Sequence, residues 1–562
     1  MGQAISYTTS PVDIDFAGAG ALRGLIISSP EGVRCTRYLG IPYALPPVGE
    51  HRWRRPRPLP PNFSYSVPDG SPRDCTRFGT VCEQPIMMAG DKVIGRNETD
   101  SFGEDCLLLN IWVPVGEKPD GGWPVYVWLH GGWLQMGNPC HDAIMNPVER
   151  IAPVSSGGGG VRAIFVAIGY RVSVLGFLGG KALDSGGNKG GNYGFWDQRC
   201  GLEWVHKNIH HFGGNNRRVT LGGQSAGAYS VHGQLIYELL RSPKTEGGLF
   251  HNVVLYSSPI GMRPKQPMDA EAQYLSLLAA CGIAATDPPA SQLSQLRAIP
   301  AVTLVSKVKS AAPPIFRAVA DDDFFGADLL TSYTDGSFAA EFKRRGMNIL
   351  IGEMRHEEVF YRKTNTPADW EGLKRVLGND LPQPVVQTLL DEYLSNPAHL
   401  SAAAPDPDPG VGEVEQVYGL IVADTQIRAP TRQLVAALRD GSVPLSAVRR
   451  YLISYRHSLL NTPGGAAPTW GATHACDMPI FAFPTYLVMP AAERDMTRAW
   501  LQDLADMIAG KPRDFGTRSW TEVKELTQDG TVAVVQDGRW PDLERVAGIV
   551  KAKNGRTGGP TL

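Results

Sequence analysis

The sequence predicts an α/β fold: a large, mainly parallel central sheet flanked by helices and broken by helical insertions. Three observations lead there. Short apolar runs recur at 107–113, 125–129, 163–168, 219–221, 253–256, 348–351 and 451–454, which suits strands covered on both faces. Helical spacing falls between them, as at Leu202, Val205 and Ile209, and such alternation favours parallel pairing. Finally, the apolar run Val219–Leu221 leads directly into Gly223-Gln224-Ser225-Ala226-Gly227 and then a helical stretch. A G-x-S-x-G pentapeptide between strand and helix is a turn that holds its serine in strained backbone geometry, Oγ projecting from the sheet edge. Gly223 and Gly227 relieve the crowding that side chains two places either side of Ser225 would create.

Bulk properties narrow the function classes. The chain has 562 residues, 43% hydrophobic and 20% charged, with a formal net charge of −2. That balance gives no electrostatic reason to expect nucleic acid or an anionic membrane as partner. No apolar run approaches the roughly 18–20 residues that span a bilayer. Eight cysteines are too few for a disulfide scaffold, and no C-x-x-C or H-E-x-x-H spacing occurs, so neither a structural metal nor a cofactor is expected. The N-terminus lacks a basic and an apolar region of a signal peptide, which points to the cytoplasm. Met1-Gly2 with Ser6 fits a loose N-myristoylation pattern that chance also supplies. Asn62-Phe-Ser64 and Asn97-Glu-Thr99 are sequons expected to stay bare without export.

Taken in order, residues 1–20 read as a polar arm and 21–43 as an antiparallel start to the sheet. Residues 44–103 read mostly as surface loop. The core strands and their helices follow, interrupted by helical insertions at about 262–345, expected to wall the pocket, and 365–445, which contains the Pro-rich loop 402–410. An amphipathic helix at 494–508 and a last strand at 532–535 close a single domain over 21–550, leaving 551–562 as a tail. Cys35, Cys140, Cys200 and Cys476 read as small buried residues.

The serine segment, Phe212-Gly-Gly, four free positions, Val219-Thr-Leu221 and then G-x-S-A-G, resembles the serine signature of the type-B carboxylesterases and cholinesterases, which are α/β-hydrolases. A second signature is similar to Glu104-Asp-Cys106-Leu-Leu108-Leu-Asn110-Ile-Trp-Val-Pro114, departing at Leu108. Leu39-Gly-Ile-Pro-Tyr43, Tyr170-Arg-Val172 and Gly191-Asn-Tyr-Gly194 look similar too. The resemblance runs from about residue 20 to about 550. It implies the α/β-hydrolase fold and a bridge between Cys82 and Cys106, with Cys75 a competitor for it.

It also implies roles. A serine hydroxyl needs a base to take its proton, and the base needs a carboxylate to orient it. In this fold the chain order is serine, acid, histidine. Among 12 histidines, His474 stands in Gly471-Ala-Thr-His474-Ala-Cys-Asp477, similar to the family's histidine loop; Asp477 reads as a loop anchor. The acid lies five residues after the glycine ending its strand, which selects Glu357. Glu358, standing where the family has glycine, is a candidate by proximity, and His356 reads as a packing or surface residue. The oxyanion donors are the N–H groups of Ala226 and, in His130-Gly-Gly132-Trp133-Leu, of Gly132 and Trp133, with the Trp133 indole lining the pocket.

Two departures bear on substrate. Segment 83–105 has no Trp or Tyr on which a quaternary ammonium could stack, and Gln224 stands where the family commonly has Glu. Together they point to an uncharged or weakly polar small-molecule ester hydrolysed through an acyl-enzyme. Acyl transfer or lactone opening by the same residues, and a non-catalytic adhesion role, are the alternatives. The sequence carries no sign of oligomeric state.

Overall fold

The computed structural model describes residues 6–554 except 17, 90–91, 95–99, 141–145, 185–189, 243–246, 262, 327–328, 330, 365, 397–411, 462–466, 484–488 and 512–513. Gly2, the Asn97 sequon, the 402–410 loop and the last residues of the tail lie outside them.

Among the described residues the core is one thirteen-stranded sheet. In chain order its main strands are β1 (Thr8–Asp15), β2 (Ala21–Ser29), β3 (Gly32–Pro42), β4 (Leu108–Pro114), β5 (Trp123–Leu129), β6 (Ile164–Ile168), β7 (Gly214–Gln224), β8 (Asn252–Tyr256), β9 (Asn348–Met354), β10 (Val448–Ile453), β11 (Glu522–Leu526) and β12 (Val532–Gln536). Across the sheet they run β1-β2-β3-β4-β6-β5-β7-β8-β9-β10-β11-β12, with Arg73–Asp74 pairing β2. The stretch from β6 through β11 is parallel; both margins are antiparallel apart from Arg73–Asp74, which pairs β2 in parallel.

The alternation along each strand explains why both faces are covered. Val125, Val127 and Leu129 join one apolar cluster, while Tyr126 and Trp128 join another on the opposite face. Val253 and Leu255 against Val254 and Tyr256 repeat the division, as do Ile349 and Ile351 against Leu350. Side chains in a strand point alternately to opposite faces, so a continuous apolar run fills two cores. Helix α2 (Ala226–Leu240) buries Ala228, Val231, Leu235 and Leu239 on the first face, and α6 (Ala491–Ile508) buries Trp500, Leu501 and Leu504 on the second. The helix preceding β7, α1 (Tyr193–Asn208), carries Asp197, which pairs with Arg171 of the loop after β6 at 2.7 Å.

The structure adds detail to three of these sequence readings. The polar arm contains β1, which pairs residue for residue with β2. After Pro11 the apolar side chains of β1 are Val12 and Ile14, followed by Phe16, whose ring meets Tyr65 at 4.5 Å; an edge strand needs no more. The last helix, α7 (Trp540–Asn554), continues past residue 550. All eight cysteines are free thiols. Cys82 and Cys106, the pair the resemblance bridges, are in side-chain contact without a bond, and that contact, with burial, pushes the Cys106 thiol well above its ordinary range. Cys75 is buried on its own.

The 262–345 insertion is helical over Pro267–Ala280, Pro289–Ala298, Ala301–Lys307 and Ser337–Arg344. The 365–445 insertion supplies Trp370–Leu377, Gln383–Ser395, α4 (Glu413–Ala423) and α5 (Ala429–Asp440), the last two joined by a π-helical turn at Asp424–Arg428. Among the described residues no helix is long and apolar enough to cross a membrane.

Candidate active site

β7 ends at Gln224 and α2 begins at Ala226, so Ser225 alone makes the turn, at φ 57° and ψ −127°. That is a costly conformation for a residue with a Cβ. The turn is tight enough that a Cβ on Gly223 would come within 2.4 Å of the Gly227 carbonyl carbon, and one on Gly227 within 2.1 Å of the Leu129 oxygen. The Ser225 N–H donates to Tyr256 O of β8 at 2.8 Å, which fixes the turn to the sheet. The serine sits at the N-terminal end of α2, where the helix dipole favours developing negative charge.

The carboxylate comes from the end of β9. Chain leaving that strand turns at Arg355 and His356 and enters the short helix α3 (Glu357–Arg362). Glu357 is fully buried. Its Oε1 accepts the Met354 N–H at 2.8 Å and its Oε2 accepts from His474 Nδ1 at 2.6 Å. The acid and histidine segments are laced together by backbone: His356 N–H donates to Ala472 O at 3.0 Å, and Phe360 N–H to Thr473 Oγ1 at 2.9 Å. The rings of Phe360 and Tyr361 each lie 5.3 Å from the imidazole.

Glu358 is engaged elsewhere. It pairs with Arg428 and accepts from His356 Nδ1 at 3.3 Å. Burial would raise its pKa, but Arg428 and His356 hold it down at about 2. His356 is therefore a buried partner of Glu358 rather than a surface residue.

With Nδ1–H given to Glu357, His474 Nε2 carries the lone pair. It faces Gln224 Nε2 at 3.2 Å. Among the described residues Ser225 Oγ makes no hydrogen bond. The structure thus brings His474 and Glu357 together and brings His474 to the elbow, where the neighbouring amide occupies the site a base would offer the serine. Gln224 stands out in the sequence for its missing charge; its contact with a residue 250 positions away does not.

Asp477 lies behind this pair, fully buried, and Tyr451 OH donates to its Oδ2 at 3.3 Å. Burial, and next the charge of Glu357, push its pKa up to about 7 against the opposing pull of His474.

The glycine-rich loop follows β5. Gly132 has φ +107° and Trp133 φ 54°, a bend in which the N–H groups of Gly132 and Trp133, and that of Ala226, donate to nothing among the described residues. The Gln135 side chain anchors the bend, donating to Trp133 O at 3.0 Å and accepting the Phe316 N–H at 3.1 Å. The Trp133 indole stacks on Phe360 at 5.4 Å and 15°.

A cavity of about 100 Å³ reaches Ser225 and Ala226. Its walls include Trp133, Leu134, Ile315, Tyr361, Val376 and Tyr418, so both helical insertions contribute. Its charged wall residues, Arg317 and Asp380, pair with each other at 3.2 Å.

Residues 9–538 match the model of the carboxylesterase family. The chain belongs to the carboxylesterase family. It is accordingly an α/β-hydrolase and a carboxylesterase-type enzyme, active on carboxylic esters. It is 35% identical to an uncharacterized esterase/lipase of Schizosaccharomyces pombe over 536 residues, 95% of each chain. It is 32% identical to a carboxylic ester hydrolase of Gibberella moniliformis over 546 residues, 96% of each. A phenmedipham hydrolase of Pseudarthrobacter oxydans is 34% identical over 246 residues, 43% of each.

Proposed function

We propose that this carboxylesterase is a serine hydrolase working through an acyl-enzyme, with Ser225 the nucleophile, His474 the base and Glu357 its orienting acid. The observation that carries the reading is the 2.6 Å bond from His474 Nδ1 to Glu357 Oε2, beside an Nε2 already at the elbow. When Gln224 releases that lone pair, Nε2 takes the Ser225 proton as Oγ attacks the ester carbonyl. The oxyanion is held by the N–H groups of Gly132, Trp133 and Ala226; one such donor is worth about 3 kcal/mol of barrier in other serine hydrolases. His474 then returns the proton to the leaving alcohol, and water repeats the sequence on the acyl-enzyme.

The substrate is an uncharged or weakly polar small-molecule ester. The cavity wall is largely apolar and aromatic, and its two charges cancel. The names of the relatives, a carboxylic ester hydrolase and an esterase/lipase among them, agree with that class.

Labelling with a fluorophosphonate, read by peptide mass spectrometry on wild type and Ser225→Ala, tests the mechanism. The expected result is one adduct on the Gly223–Gly227 peptide, absent from the variant. Folded wild type that takes no adduct while hydrolysing p-nitrophenyl esters would overturn the serine mechanism.

A further inference from the structure

A second and larger cavity, about 310 Å³, lies against β9, β10 and the chain that follows β12, and shares no wall residue with the one at Ser225. Among the described residues five guanidiniums line it: Arg355, Arg428, Arg432, Arg450 and Arg539. Two carboxylates, Glu353 and Asp537, stand in the same wall. Three more serve these arginines from outside it. Glu358 pairs with Arg428, Asp424 with Arg428 and Arg539, and Glu525 with Arg355.

Arg432 also pairs with Glu353, so these five carboxylates match the five guanidiniums in charge, and what is short is hydrogen-bond acceptors at Arg450. Asp537 is its carboxylate partner but is shared with Arg432, at 2.5 and 2.7 Å respectively. Arg450 otherwise donates to Trp520 O at 3.1 Å and lies over the Trp540 ring at 4.7 Å. Its side chain is only 5% exposed, yet its Nε has no partner among the described residues, and neither does the Nε of Arg539. Burial, with the neighbouring Arg432 cation, pushes the Arg450 guanidinium below its ordinary range. A buried guanidinium with donors to spare asks for an acceptor, and the planar fork suits a two-oxygen face. The volume is at the small end of the pockets that hold metabolite-sized ligands.

We propose that this arginine-lined cavity binds a small oxyanion, bearing a carboxylate or phosphate group, against Arg450 and Arg539. The inference does not depend on the serine mechanism.

Titration of the full chain by calorimetry with sodium phosphate, citrate and acetate, at ionic strength held constant with sodium chloride, tests it. The expected result is saturable one-site binding of phosphate or citrate, unchanged in Ser225→Ala; which of them binds more tightly separates the phosphate source from the carboxylate one. Arg450→Gln should weaken it at least 10-fold. Gly538→Glu is a second variant: Gly538 lines the cavity and a Cβ there meets nothing within 4 Å, so the new carboxylate can take the anion's place without disturbing the fold. Loss of binding in Gly538→Glu, with Tm kept, supports the site even where Arg450→Gln fails to fold. Absence of saturable binding in wild type, or binding by folded Gly538→Glu equal to wild type, overturns it.

Discussion

Gln224 Nε2 stands 3.2 Å from His474 Nε2, on the lone pair that a general base must offer its serine. A hydrogen bond of this kind is worth roughly 0.5–1.5 kcal/mol net. Gln224→Ala should therefore raise the fluorophosphonate labelling rate about 2- to 10-fold. Gln224→Glu should instead favour the imidazolium and move the acidic limb of the kcat/KM profile to higher pH, by about one unit. An unchanged or slower rate in Gln224→Ala would show that the amide supports the histidine rather than competing for it.

The two adjacent glutamates separate by what they lose. Glu357→Gln removes the acceptor of His474 Nδ1–H, and kcat should fall by about 10³–10⁴ with Tm nearly kept, as loss of an orienting carboxylate does elsewhere. Glu358→Gln leaves Arg428 short of a partner and should cost about 3–5 kcal/mol of stability while turnover of the folded fraction survives. Paired measurements of kcat and thermal unfolding check this; a dead but stable Glu358→Gln would move the acid's role to Glu358.

Asp477 ties stability to pH. Its folded pKa is raised to about 7 by burial and by Glu357, so the folded chain holds a proton that the unfolded chain releases near pH 4. Stability contributed below that unfolded value is lost as pH rises toward 7, after which the curve levels. Asp477→Asn cannot lose that proton. Between pH 5 and 8 wild type should lose about 3 °C of Tm relative to the variant, measured by scanning calorimetry. Parallel Tm curves would show that Asp477 titrates normally.

Cys82 and Cys106 touch as thiols, and an oxidant should join them. Closing the intervening loop would stabilise the chain by about 3 kcal/mol. Cys82→Ala should lower Tm under oxidising conditions and leave it unchanged in reducing buffer. An equal loss in both would mean that the Cys82 side chain packs rather than crosslinks.

Much of the fold was legible locally. Continuous apolar runs such as Val125–Leu129 can satisfy two cores only as buried strands, and their alternation with helices left parallel pairing as the natural arrangement. The elbow was legible for a steric reason: Gly223 and Gly227 flank a serine whose turn leaves no room for a Cβ at either place. Strand β1 was hidden because an edge strand buries little, and Val12 and Ile14 amid polar residues resemble a loop. Strand β11, Glu522–Leu526, was hidden by its charged residues, Glu522, Lys524 and Glu525; Lys524 finds Asp503, and Glu525 finds Arg355 and Ser454.

The sequence by itself determined the family, the strained serine and the short lists of acids, histidines and backbone donors. Backbone geometry and apolar periodicity are local properties, so they can be read where they are written. Only the tertiary structure decided which acid meets His474, because Glu357 and Glu358 differ by one position on a short helix, and that rotation turns one carboxylate to the imidazole and the other to Arg428. It also decided that Gln224 reaches Nε2 and that five arginines converge behind the acid loop. Those contacts join residues tens to hundreds of positions apart, and charge pairing over such spans follows from packing that no local pattern encodes.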